Sequence, residues 1–118
     1  MVSHVGLLRA SGKQAGIEID TRMIIGEAAD PDGGIPHGAA LRRFATAVIK
    51  DHDDLDAARQ ALLDALGEKR TVQAAAIVAD FDAINRVADA TGIELDELTA
   101  HHDADLIENL GFERMRST

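Results

Sequence analysis

Between Thr71 and Gly92 the run TVQAAAIVADFDAINRVADATG places Ala74, Ile77, Phe81, Ile84 and Ala88 at alternating steps of three and four. Only an α-helix brings that spacing to one side, because 3.6 residues make a turn. Thr71 can cap this helix and Gly92 can end it in a left-handed conformation. The run predicts one long helix and is expected to form the spine of the core. The rest of the composition agrees with helices. Only three residues are aromatic (Phe44, Phe81 and Phe112) and alanine is abundant. A core made this way consists of Ala, Leu, Ile and Val in closely approaching helices. The expectation is an all-α bundle of about five to six helices, in one domain spanning residues 1–118, since 118 residues hold one modest core and not two.

The remaining segments carry their own punctuation. In MVSHVGLLRASGKQAG, His4, Leu7, Leu8 and Ala15 recur at roughly helical spacing, Ser3 is the candidate N-cap and Gly16 suits a stop. Asp20 can cap a short helix carrying Met23, Ile24 and Ile25. DPDGGIPHG is the one obvious loop, with Pro36 fitting the first turn of the next helix. From Ala39 to about Lys50, Leu41, Phe44, Ala45, Val48 and Ile49 share a face opposite Arg42, Arg43 and Lys50. DHDDLDAARQALLDALG repeats the logic: Leu55, Ala58, Leu62 and Leu66 form the stripe, acids crowd the N-terminal end and Gly67 closes. A final short helix is expected from Asp103 to Leu110, with Leu106, Ile107, Leu110 and Phe112 available to dock.

Charge and cysteine usage narrow the chemistry. A net charge of −9 repels a phosphate backbone, and no basic stripe with interleaved aromatics occurs, so nucleic acid is not an expected partner. No window approaches the roughly 20 apolar residues that span a bilayer, and no signal-peptide pattern opens the chain, so a cytoplasmic protein without a membrane is expected. The sequence contains no cysteine, which removes thiol nucleophiles, disulfides and thiolate metal sites. DHDD (Asp51 to Asp54) and HHDAD (His101 to Asp105) hold metal-ligand residue types, but both fall at predicted helix starts, where acids answer the helix dipole without a metal. DPDGG lacks the later ligands and closing Glu of a calcium loop. Neither a metal nor a cofactor is expected. Asp82 and Arg86, four apart, are read as an ion pair.

From His4 onward the chain resembles the alkyl hydroperoxidase D (AhpD)-like and carboxymuconolactone decarboxylase superfamily, particularly its peroxidase-related branch. SHVGLLRASGKQAGIEID is similar to the family's active-site helix continuing into its next turn. HGAALRRFATAVIKD is similar to a small-residue start leading into an L-x-x-F-A helix, and FDAINRVADATGIELDE to a C-terminal signature. The resemblance implies a homo-oligomeric helical fold and peroxidase-type chemistry. There a Cys-x-x-Cys pair attacks and resolves the peroxide while a His four residues after the second Cys and an upstream Glu relay protons. The matching histidine is His4, which becomes the tentative catalytic proton relay. Counting back four residues places the second Cys just before Met1, so the resemblance leaves two expectations open. Either Met1 is an internal methionine of a longer protein carrying the family's N-terminal helices, or the chain is a truncated paralogue whose neighbours in an oligomer cover the face those helices would bury. In either case the chain as given is catalytically incomplete. The alternative is a non-enzymatic module, either an oligomeric scaffold or a binder of a small apolar ligand in a pocket near His4 and Phe44. A third reading, a stand-alone acidic bundle, is favoured if the Thr71–Thr91 helix proves peripheral.

Overall fold

The computed structural model describes residues 2–93 and 104–110, with side chains from Val5 onward. Among these residues every regular element is helical: α1 (Val2–Gln14), a 3-10 turn (Thr21–Ile25), α2 (Gly38–Ile49), a second 3-10 turn (His52–Asp54), α3 (Leu55–Leu66), α4 (Glu68–Thr91) and α5 (Ala104–Asn109). The all-α expectation therefore holds there. None of these helices is long and apolar enough to cross a membrane. The chain divides into two compact units, Met1–Ile35 with Ile93–Thr118, and Pro36–Gly92.

In the first unit α1 packs on α5. Val5 joins Leu106, Ile107 and Leu110 in a buried cluster, and Ile24 packs against it. The predicted docking of the last helix through Leu106, Ile107 and Leu110 is what occurs, while Phe112 lies outside the described residues. Two expectations for α1 are corrected. Leu7 is 66% exposed and Val5 takes the buried place, because α5 covers the face carrying Val5, while Gly12, also buried, is covered by Ile19 and Ile17 of the segment that follows α1. Ser3 lies inside α1, which already includes Val2, and so is not its N-cap.

Downstream, Gly16 ends the helix at φ +73° with its N–H on the Lys13 carbonyl. Asp20 caps the 3-10 turn as predicted, its carboxylate accepting the Arg22 N–H at 3.1 Å. Its own N–H donates to the Gly33 carbonyl at 2.9 Å, which ties the DPDGG loop back onto this segment. At Gly34 (φ +85°) a Cβ would run into the Glu18 carbonyl oxygen, so the close return needs glycine.

In the second unit α3 packs against both α2 and α4, and α2 also meets α4. Phe44 and Ala47 of α2, Ala58 and Leu62 of α3, and Thr71 of α4 are its buried side chains. Alanines are buried at 47 and 58, small side chains that leave room for helix backbones to approach closely. The α3 stripe falls as predicted, with Leu55 and Leu66 half-buried at its ends. α2 begins at Gly38; Pro36 precedes it instead of occupying its first turn, and His37 fills the N-cap at φ +59° with no side-chain cap bond.

The long helix departs most from expectation. Gly67, at φ +81° and ψ +173°, is the whole joint between α3 and α4, and α4 begins at Glu68. Thr71 therefore sits inside the helix, donating its hydroxyl to the Gly67 carbonyl at 2.8 Å, and is not the cap. Gly92 ends the helix as predicted, at φ +66° with its N–H on the Ala88 carbonyl. The three large residues of the predicted core stripe face outward, Ile77 58%, Phe81 40% and Ile84 52% exposed, while its alanines Ala74 and Ala88 are half-buried. What packs inward is the neighbouring arc of Thr71, Ala75, Val78 and Asp82, spaced by four, three and four. α4 is thus a wall of its unit and not a spine. The periodicity marked an apolar arc correctly but carried no information on what covers it.

Candidate functional site

His4, the residue to which the family resemblance assigns proton relay, lies on α1, and its side chain falls outside the described residues. Phe44, the other residue named for a ligand pocket, is buried in the second unit. An open depression of about 470 Å³ lies near the end of α1, lined by Arg9, Lys13, Gly16, Ile17, Glu18 and Ile19. It is shallow and mixes one acid with two cations, so it defines no single ligand chemistry.

The acidic clusters resolve into ion pairs and turns. In DHDD, Asp54 accepts from the Arg43 guanidinium through both oxygens, the Nε bond being 2.6 Å long. That fork of two charge-assisted hydrogen bonds holds the Asp54 carboxyl below its ordinary range. In HHDAD, His101, His102 and Asp103 lie outside the described residues. Asp105 takes the Arg9 guanidinium at 2.6 Å, and the hydrogen bond lowers its carboxyl likewise. In DPDGG the Asp30 carboxylate accepts the backbone N–H of Asp32 at 3.1 Å and of Gly34 at 3.3 Å, a turn built on its own acid. Among the described residues no three His, Asp or Glu side chains come together as metal ligands. Arg86 Nε meets Asp82 at 3.1 Å, the pair its spacing predicted.

The feature left over is the outer side of α4. Ile77, Phe81, Ile84 and the half-buried Ala88 follow one another at steps of four, three and four, and Phe81 retains 40% of its surface to solvent. Val87 is exposed on an adjoining arc and Val72 on a further one, about 140° round the helix from Ile77. Five large apolar side chains outside the core on one helix exceed the scattered singles normal for a protein surface. The spacing of Ile77, Phe81 and Ile84 is that of a helix prepared to pack on another helix. Val72 and Val87 were missed by the sequence reading, since they stand off the three-four stripe; their signal was that an Ala- and Val-rich helix has apolar residues on more than one face.

Fold and site together define a class: an acidic chain, all-helical in its regular elements among the described residues, that carries an exposed apolar helix face on α4. Comparison with protein-family models, with characterised proteins and with solved structures gives no match.

Proposed function

We propose that this chain is a non-catalytic helical interaction module, working by helix-to-helix association through α4. The observation that carries the reading is the exposure of Ile77 and Ile84 on a helix whose other face is already packed. Apolar surface of this kind gains about 25 cal/mol per Å² when water is removed from it, so a face left open is a standing drive to association. The likeness of the segments around His4, Phe44 and Asn85 to AhpD-like and carboxymuconolactone decarboxylase proteins speaks for a relation in architecture, and the peripheral position of α4 speaks for a stand-alone acidic bundle instead; the interaction reading stands with either. The chemistry of that branch has no nucleophile in this chain, which contains no cysteine.

Two measurements test the reading. Hydroperoxide supplied with a dithiol reductant should not be consumed above the protein-free rate, and His4→Ala should leave that result unchanged; turnover would overturn the non-catalytic reading. A solvatochromic apolar dye should bind dilute protein, and Ile77→Ser with Ile84→Ser should abolish most of its signal while far-ultraviolet circular dichroism is retained. A dye response indifferent to those substitutions would mean that the α4 face is not open in solution.

A further inference from the structure

We propose that Asp32–Gly33 is a site of isoaspartate formation, withheld by the folded loop and irreversible for the loop once it has occurred. The proposal concerns the first unit alone and is independent of the α4 face.

The chemistry follows from the residue pair. A main-chain nitrogen reaches the preceding aspartate carboxyl most easily when it belongs to glycine, which has no side chain to block the approach. Asp32–Gly33 is the only Asp–Gly pair in the sequence, and neither asparagine precedes a glycine. The Gly33 nitrogen attacks Cγ of the Asp32 carboxylic acid. The N–Cγ bond forms, a C–O bond breaks, and the amide proton leaves with the hydroxyl as water, giving a cyclic succinimide. Water then adds to a ring carbonyl. Where it adds at the main-chain carbon of Asp32, the bond from that carbon to nitrogen breaks and a free carboxylate remains there. The chain then runs through Cβ and Cγ, and nothing is oxidised or reduced.

The folded loop holds the reacting atoms apart. The Gly33 N–H donates to the Asp30 carbonyl at 2.9 Å, which closes a β-turn around Pro31 and Asp32. Asp32 is not among the residues at positive φ, so with Pro31 before it the turn is type I and not type II. The second central residue of a type I turn has ψ near 0°, which leaves its Cβ rotated by about 120° from the following nitrogen. Ring closure requires the two nearly eclipsed. A second turn follows at once: the Ile35 N–H donates to the Asp32 carbonyl at 3.0 Å, with Gly33 and Gly34 at φ +61° and +85°, the positive pair of a type I′ turn. The Asp30 carboxylate ties both turns through the N–H groups of Asp32 and Gly34, and the Gly33 carbonyl accepts from the Asp20 N–H at 2.9 Å. Turning Asp32 into the reactive rotation breaks this set, so the reaction passes through local opening of the loop.

The product does not fit back. Conversion inserts one carbon into the main chain, about 1.5 Å of bond. Gly33 and Gly34 have no space for even a Cβ, which would strike Met23 at the first and the Glu18 carbonyl oxygen at the second. The carbonyl that the Ile35 N–H uses becomes a side-chain carboxylate. The loop is thereby released from the Glu18–Met23 segment.

The test sets the purified protein beside a synthetic Gly26–Gly38 peptide at neutral pH and physiological temperature. Isoaspartate is counted by methyl transfer from S-adenosylmethionine with an isoaspartyl methyltransferase and located by electron-transfer mass spectrometry. The peptide should accumulate it at Asp32, and the folded chain at the same residue at least about tenfold more slowly. Asp30→Ala and, separately, Gly34→Ala should raise the rate of the folded chain several-fold, and Asp32→Glu should abolish the signal. Should either loop variant unfold, the unsubstituted chain in urea below its unfolding transition gives the same readout, and its rate should rise in step with hydrogen exchange at the Gly33 amide. A folded chain that reacts as fast as the peptide overturns the proposal. So do modification that spares Asp32 and a rate unmoved by opening the loop.

Discussion

Leu62 is the side chain on which the second unit most depends, and truncating it gives a sharp test of how that unit is held. It is fully enclosed on α3, the helix that packs on both α2 and α4. Leu62→Ala removes three fully buried carbon atoms and leaves a cavity in their place. Substitutions of this type cost about 2–5 kcal/mol. A unit the size of Pro36–Gly92 carries on the order of 3–9 kcal/mol in all, so the change should consume half or more of it.

The assay is urea unfolding of dilute protein followed by circular dichroism, with hydrogen exchange to locate the loss. Amides of α2, α3 and the first half of α4 should lose protection together. Val72→Ala, at a site 63% exposed on α4, is the matched control and should shift stability by less than about 0.5 kcal/mol. If Leu62→Ala cost less than about 1 kcal/mol, or no more than the control, the assignment of the core to the α2–α3–α4 contact would be refuted.

Other substitutions probe the turns and ion pairs. Gly34→Ala forces a side chain into the Glu18 carbonyl at φ +85° and should destabilise the first unit by about 2 kcal/mol or more, read as a lower melting temperature. His37→Gly relieves a left-handed non-glycine residue at the α2 N-cap and should be neutral or stabilising by up to about 1 kcal/mol in the same melt. Asp20, Asp54 and Asp105 have carboxyls held below the ordinary 3.8 by hydrogen bonds from Arg22, Arg43 and Arg9. Groups depressed in the folded state contribute stability that is present above their unfolded value and lost as pH falls through the folded one. Melting temperature should therefore fall as pH drops below about 4, and Asp54→Asn should flatten that fall while lowering the plateau at neutral pH. Arg86→Ala, removing an exposed i,i+4 pair, should change stability by less than about 0.5 kcal/mol under urea.

Local chemistry was legible in the sequence where it sufficed to decide structure. Asp20, Gly16, Gly67 and Gly92 act as caps and stops, and Ala58 with Leu62 forms the buried stripe of α3. Thr71 was misread because a good N-cap residue was preceded by Glu68, Lys69 and Arg70, which are helix formers with no barrier between them and Gly67; the glycine, not the threonine, fixed the start. The α1 and α4 faces were misread for a different reason. Leu7 and Ile77 are as apolar as Val5 and Leu62, and which of them is covered depends on where a distant helix lands. The Arg9–Asp105 pair, 96 residues apart, carries no local signal at all. The exposed arc of α4, the candidate site, was visible as a pattern, and its exposure was not.

The one-residue joint at Gly67 has a geometric consequence for how this sequence can change. Successive residues of a helix are rotated by about 100°, and α3 passes into α4 with nothing in between to absorb a phase error. Inserting a single residue after Gly67 would turn the whole of α4 on its axis by that angle. Thr71, Ala75 and Val78 would leave α3, and a different arc would take their place against it. The outward face is thus indexed to the core by a hinge of fixed length, so insertions and deletions here are coupled to the surface in a way that substitutions are not.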